Sequence, residues 1–335
     1  MSHSALVLCS LPNIRNLLDA EFQKVAHSFR SKKASSLFVF RQSSDLLKET
    51  SLSLTFCDSK IDSSDVGSAL AKGEFDIAFG CPNLIEPYLS KMSAVRWLHS
   101  TWAGNERILK RIMELNLQKP HSIDFKLTRM AGVFGPHMSE FCLSVIIDHE
   151  RKFSTFREAQ RNSSWITYHS KYRLLSDLTV GILGVGSIGT HIAQTLKFMG
   201  ASTVGCVRLP RKDTTNGIDE WFSSSTNSGL SDFLSRCDYV INTLPSTPGT
   251  TNLLSGDVLS SVKNGSVFVN VGRGNVIDDL SVLNAVNNKW ISHAYLDVFN
   301  TEPLPTDHPF WTHQSITVFP HISAVSFAED SVRLF

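Results

Sequence analysis

Residues Leu178–Gly200 hold a strand pattern, a glycine turn and a helix pattern in fixed order, and no other part of the chain constrains the fold as much. Leu178-Thr-Val-Gly-Ile-Leu183 is an apolar run of strand length. It leads directly into Gly184-Val-Gly186-Ser187-Ile188-Gly189. Ile188, Ile192, Ala193, Leu196 and Met199 then recur at helical spacing, and Gly200 supplies a C-terminal stop. A strand that turns into a helix belongs to a parallel βαβ unit. The same layout suits an anion. Gly184 permits the tight turn, Gly186 lets a pyrophosphate approach the backbone, and Gly189 lets the helix pack on the strand. Ser187 and Ile188 open the helix, whose free N–H groups face the phosphates of a dinucleotide. The bland alternative is a purely structural turn.

The next strand bears on which dinucleotide. An NAD site usually carries Asp or Glu about 20 residues on, to bind the ribose 2′-hydroxyl. Here the strand Thr203–Val207 ends in Arg208-Leu-Pro-Arg211-Lys212, and the nearest acid, Asp213, lies beyond the basic cluster. Arg208 and Arg211 can pair with a 2′-phosphate. NADP(H) is therefore the preferred cofactor, with NAD(H) possible; a solvated basic loop is the alternative.

Elsewhere, short apolar runs alternate with helical patterns. The 335 residues suggest two domains. Strands are expected at Ala5–Cys9, Leu37–Phe40, Leu52–Phe56, Phe75–Phe79 and Val95–Leu98, with helices at Asn16–Arg30 and Asp65–Lys72. A boundary falls near Arg129. After Pro136, Met138, Phe141, Cys142, Val145 and Ile146 form one helical face. The polar segment Arg157–Tyr172 reads as a connection, and a second βα series runs to about Phe319. Net charge is +1, from 32 basic and 31 acidic residues, which argues against a global grip on nucleic acid or anionic membrane. Six scattered cysteines show no C-x-x-C spacing, so neither a metal site nor a disulfide framework is expected. Ala5–Cys9 is too short for a signal core, and no run approaches the roughly 20 residues of a membrane span. A soluble cytoplasmic protein is expected.

From Asp238 onward an ordered series of motifs appears. Tyr239-Val-Ile-Asn-Thr-Leu-Pro-Ser-Thr-Pro-Gly-Thr250 is followed by Gly265-Ser-Val-Phe-Val-Asn-Val-Gly-Arg-Gly274. Then come Tyr295-Leu-Asp-Val-Phe299, Glu302-Pro-Leu-Pro305, His308-Pro-Phe-Trp311 and Phe319-Pro-His-Ile-Ser323. The series resembles the D-isomer-specific 2-hydroxyacid dehydrogenase family, strongly over Arg129–Ala328 and weakly before. The Arg208–Arg211 loop is similar to that of NADPH-selective glyoxylate/hydroxypyruvate reductases. The resemblance implies two doubly wound parallel-sheet α/β domains. A flavodoxin-like substrate domain would span 1–128 with a C-terminal return over 322–335, and a Rossmann cofactor domain 129–321.

The resemblance also assigns roles. Arg273 matches the arginine that binds the substrate carboxylate and carbonyl, His321 the proton donor, and Glu302 the acid that holds the histidine. Those residue types suit ketone reduction, which needs a proton at oxygen and a polarised carbonyl. Pro245, Thr250, Val271 and Asp297 fall at further cofactor positions. Ser100-Thr-Trp-Ala-Gly-Asn-Glu106 matches the substrate loop, with the amides of Ala103 and Gly104 facing the carboxylate. A substrate held by both series would sit in a cleft between hinged domains.

Three departures stand out. Trp102 replaces a small residue, which bears on larger keto acids. Gly272 replaces a common Ala, a change expected to be mild. The chain ends at Phe335, where family members usually continue with a helix returning to the substrate domain. The expected activity is reduction of glyoxylate, hydroxypyruvate or a similar 2-keto acid, by a homodimer that binds neither nucleic acid nor membrane and holds no metal. The alternatives are an NAD-linked 2-hydroxyacid or phosphoglycerate-type dehydrogenase, an inactive paralogue and a nucleotide-sensing corepressor-like scaffold.

Overall fold

The computed structural model describes residues 3–8, 13–14, 16–18, 20–21, 52–57, 67–68, 70–118, 123–167, 172–210 and 217–335. The chain divides into two compact units, Met1–Ala131 with Ser326–Phe335, and Gly132–Val325.

In the first unit, five strands among the described residues form one parallel sheet. They are β1 (His3–Leu8), β2 (Leu52–Cys57), β3 (Ile77–Gly80), β4 (Trp97–Ser100) and β5 (Lys126–Arg129), in the order β2-β1-β3-β4-β5. This is the flavodoxin-like order. Successive side chains point to opposite faces, so apolar runs are needed where both faces are covered. Leu6, Ala78 and Leu98 pack with Ile85 and Ile108, whereas Val7 and Phe79 pack with Leu18 and Val332.

Two strands start later than their apolar runs suggest. Phe75 and Val95 are buried but precede the hydrogen-bonded ladder, so burial and pairing do not coincide. Residues 16–18, 20–21, 67–68 and 70–71 are helical, as their patterns imply. The expected strand Leu37–Phe40 and the rest of the helix to Arg30 lie outside the described residues. The last residues do form a helix in this unit. Ala328–Leu334 buries Ala328 and Val332, and the Phe335 ring stacks on Trp97 at 5.1 Å. This helix lies within the stretch 322–335 that the resemblance gives as the C-terminal return.

The second unit contains β6 (Thr179–Leu183), β7 (Ser202–Val207), β8 (Glu220–Ser223), β9 (Tyr239–Asn242), β10 (Ser266–Asn270), β11 (Ile291–Leu296) and β12 (Ile316–Val318). They form a parallel sheet in the order β12-β11-β10-β9-β6-β7-β8. The order extends the Rossmann arrangement by one strand and reverses direction between β6 and β9. Val180, Ile182, Tyr239, Ile241, Val267 and Val269 line one face; Leu183, Val204, Cys206, Val240, Phe268 and Ala294 line the other.

One segment differs from expectation. Phe153–Arg161, partly assigned to a connection, is a short, mostly polar helix with no fully buried residue. Among the described residues no helix is long and apolar enough to cross a membrane, and Cys81, Cys142, Cys206 and Cys237 are buried.

Candidate active site

Because the second sheet is parallel, every strand delivers its following loop to the same carboxyl edge, and the strand order switches between β6 and β9, where sheets of this kind bind ligands. The glycine turn follows β6. Gly184 adopts φ +97, and a Cβ on Gly189 would overlap the Gly184 carbonyl, so the helix Ser187–Phe198 can start this close to the strand only with glycine there. Gly186 is that helix's N-cap, with no side-chain cap, and a Cβ built on it meets nothing within 4 Å. Uncapped N–H groups beside open space fit a pyrophosphate. The half-buried Ile188 and exposed Ser187 lie in the first turn.

Arg208 is exposed at the end of β7, and its carbonyl accepts hydrogen bonds from the hydroxyls of Ser223 (3.0 Å) and Ser225 (2.5 Å). Arg211 lies outside the described residues. After β9, Thr250 Oγ1 donates to the Pro245 carbonyl at 2.6 Å and knits that loop together. Val271 is 3% exposed, so its side chain belongs to the core and its backbone is what it can offer a ligand.

Two buried asparagines, unassigned by sequence reasoning, join these loops. Asn242 Nδ2 donates to Asn270 Oδ1 at 2.8 Å. Asn242 Oδ1 accepts from the Leu244 amide, Asn270 Oδ1 from the Gly272 amide, and Asn270 Nδ2 donates to the Arg273 carbonyl. Their signal was available: each ends an apolar strand with a polar residue that must find partners once buried. Gly272 is not the mild change expected. A Cβ there would stand 2.7 Å from Leu244 O and 2.9 Å from Leu244 N, so the backbone of the neighbouring loop occupies the space a side chain would need.

The three expected chemical residues converge in this unit. His321 Nδ1 lies 2.7 Å from Glu302 Oε2. A carboxylate can only accept, so Nδ1 donates and Nε2 is left to exchange a proton. Glu302 Oε1 accepts from the Phe299 amide at 2.9 Å. The hydrogen bond to Glu302 raises the His321 pKa above its usual 6.5; burial opposes this, the charges of Glu302 and Asp297 support it, and that of Arg273 opposes it. For Glu302 burial acts upward, but the His321 hydrogen bond, the Phe299 amide and the charges of His321 and Arg273 outweigh it, and its carboxyl stays below the ordinary value. Arg273 thus stands within electrostatic reach of both partners, and its Nη1 also donates to the Gly272 carbonyl at 2.8 Å.

Asp297 is 1% exposed, and burial raises its pKa against the amide hydrogen bonds it accepts. Oδ1 takes the Ile322 amide at 2.7 Å and Oδ2 the Ser323 amide at 3.0 Å. These bonds clamp the chain just after His321, whose backbone sits in the left-handed region at φ 55. Such a conformation costs on the order of 1–3 kcal/mol and persists where its surroundings over-determine it.

In the first unit, the Ser100–Gly104 loop is pinned within its own sheet. The Thr101 amide donates to the Gly80 carbonyl, Ser326 Oγ to the Thr101 carbonyl at 2.7 Å, and Arg129 Nη1 to the Ala103 carbonyl at 2.7 Å. Trp102 is 42% exposed, and Ala103 and Gly104 are half-buried.

Residues 143–323 match the family described as "D-isomer specific 2-hydroxyacid dehydrogenase, NAD binding domain". The chain belongs to this dehydrogenase family. It is accordingly an NAD(P)-dependent oxidoreductase acting on 2-hydroxy or 2-keto acids. Over 245 residues it is 32% identical to "Glyoxylate/hydroxypyruvate reductase A" of Photorhabdus laumondii subsp. laumondii, which covers 72% of this chain and 76% of that protein. The crystal structure of a D-isomer specific 2-hydroxyacid dehydrogenase family protein from Aeromonas salmonicida subsp. salmonicida aligns with a TM-score of 0.78 at 29% identity, covering 99% of this chain and 93% of that one. The NADPH-dependent glyoxylate/hydroxypyruvate reductase of Sinorhizobium meliloti, in complex with NADP and sulfate, shares the fold with a TM-score of 0.71 at 22% identity, over 99% of this dehydrogenase and 91% of that chain.

Proposed function

We propose that this dehydrogenase reduces glyoxylate, hydroxypyruvate or a similarly small 2-keto acid with NADPH. The observation that carries the reading is the His321–Glu302 pair, with Arg273 in electrostatic reach, on the dinucleotide-binding sheet. His321 Nε2 supplies the proton as hydride reaches the carbonyl carbon, and Glu302 stabilises the imidazolium beforehand. Arg273 holds the carboxylate and polarises the carbonyl. The amides of Ala103 and Gly104 also bind the carboxylate. Gly184, Gly186, Ser187, Ile188 and Gly189 receive the pyrophosphate; Pro245, Thr250, Val271 and Asp297 complete the cofactor contacts.

NADPH is preferred because an exposed arginine, not an acid, follows the end of β7. Arg211, three residues on, is the second candidate for the 2′-phosphate. The name of the Photorhabdus relative supports the substrate class. Trp102 narrows the choice to small keto acids. We also infer a cytoplasmic homodimer, which the family resemblance implies; sedimentation at twice the chain mass tests the dimer.

Initial rates of NADPH and NADH oxidation with glyoxylate, hydroxypyruvate and pyruvate test the reading. It expects NADPH with the first two substrates to be the fastest combination. A clear preference for NADH would favour an NAD-linked dehydrogenase, and no turnover with any keto acid would leave a nucleotide-binding scaffold.

A further inference from the structure

The residue after Arg273 carries no side chain, and the backbone of a distant loop occupies the vacated space. A Cβ built on Gly274 would overlap the carbonyl carbon and oxygen of Phe299 and stand 2.6 Å from Asn300 N. Phe299 and Asn300 begin the segment that ends at Glu302, and the Phe299 amide holds Glu302 Oε1 at 2.9 Å. The other carboxylate oxygen meets His321 at 2.7 Å. A second tether acts on the same segment: Asn300 Nδ2 donates to Ile277 O at 3.1 Å and to Asp279 Oδ1 at 2.9 Å. The backbone contact at Gly274 therefore lies one peptide from Arg273 on one side and one hydrogen bond from Glu302 on the other.

We propose that Gly274 is a positioning residue: its bare backbone seats the Phe299–Glu302 segment so that the Glu302 carboxylate meets the His321 ring. The reason is steric. Ordinary contact with a Cβ begins near 3.4 Å, so any side chain at 274 forces the seated segment back by more than an ångström. Both contacted atoms of Phe299 are backbone and cannot rotate away. A carboxylate moved that far leaves hydrogen-bonding range of the imidazole. His321 would then face Asp297 and Arg273, the other charged groups acting on it, without its closest anion. Gly272, on the other side of Arg273, provides a built-in comparison. The nearest atoms to a Cβ there belong to Leu244 and Asn242, on a different loop, so a side chain at 272 presses on that loop rather than on the Glu302 segment.

The inference deepens the proton-donor reading of His321 and rests on it for its catalytic meaning, but its first test requires no turnover. The wild-type chain, Gly274→Ala, Asn300→Ala and Gly272→Ala are titrated by NMR on the His321 ring proton, identified by its loss in His321→Ala. The midpoint is expected to fall by about one pH unit in Gly274→Ala, the scale of losing a neighbouring opposite charge. It falls by less in Asn300→Ala and stays in place in Gly272→Ala. In the wild type and in each variant that turns over, the alkaline limb of kcat/KM follows the midpoint while the KM for NADPH is constant. A folded Gly274→Ala with the wild-type midpoint overturns the proposal. Should Gly274→Ala fail to fold, Asn300→Ala decides: an unshifted midpoint there overturns it as well. Wild-type protein that titrates as described yet reduces no 2-keto acid would overturn the proton-donor reading and leave the positioning role supported.

Discussion

At the scale of single residues, His321 is held from three directions: Glu302 takes Nδ1–H, Asp297 clamps the two following amides, and a left-handed backbone aims the ring. The arrangement keeps imidazolium populated above the pH where a free histidine loses its proton, since the pKa is raised. Reduction is therefore expected to hold on the acid side of that pKa and to fall as pH rises through it. His321→Ala should lower keto-acid reduction by roughly 10²–10⁴-fold with cofactor affinity nearly intact; a wild-type rate would remove it from the chemistry. Arg208 supports a separate prediction. Arg208→Ala should weaken NADPH binding about tenfold or more and spare NADH, because a charged hydrogen bond is worth about 1.5–3 kcal/mol. Equal losses in fluorescence titrations would refute the 2′-phosphate assignment. Arg273, Glu302 and His321 were legible because each stands in a distinctive ordered motif. The tasks of Asn242, Asn270 and Asp297 were not, since their partners are backbone amides and carbonyls brought close only by folding.

Among elements, the strand β6, the glycine turn and the helix Ser187–Phe198 act as one unit. The helix N-terminus can face a pyrophosphate only if its first turn lies against the strand end, and Gly189 sets that distance through its approach to the Gly184 carbonyl. Gly189→Ala must shift the helix. It is expected to abolish measurable dinucleotide binding in calorimetry while the far-ultraviolet spectrum shows a folded protein. Retained micromolar affinity would show that the turn is not the phosphate site. This unit was readable in the sequence because three glycines, an apolar strand and an amphipathic helix agree. The helix Phe153–Arg161 was harder to read: it is short and rich in polar residues, and none of its side chains is fully buried, so little core packing marks it. The late starts of β3 and β4 have a related cause, because burial marks the core and ladder pairing marks the strand.

Across the whole molecule, each unit holds a histidine that resists protonation, His99 buried and His293 half-buried. Burial pushes His99 in the first unit down to about 4, and burial followed by the charges of His149 and His313 does the same for His293 in the second. Between about pH 6.5 and 4 the unfolded chain binds protons that the native protein does not, so stability rises with pH in that window and is lost on acidification. Each group contributes at most roughly 3 kcal/mol. Urea midpoints should fall between pH 7 and pH 5, where most carboxylates remain ionised, and His99→Asn should flatten the fall; a flat wild-type profile would contradict the assignment. The sequence by itself determined the parallel α/β class and the glycine turn between strand and helix, and through the family resemblance it singled out Arg273, Glu302 and His321 as the candidates for the chemistry. These depend on local periodicity, glycine conformations and short ordered motifs, all written in neighbouring positions. Only the tertiary structure decided which backbone lies against Gly272 and Gly274, which amides Asp297 holds, and that the Ala328–Leu334 helix packs on Val7 and Phe79. Those facts are distances between segments far apart in the chain, set by how each sheet packs with its own loops and helices.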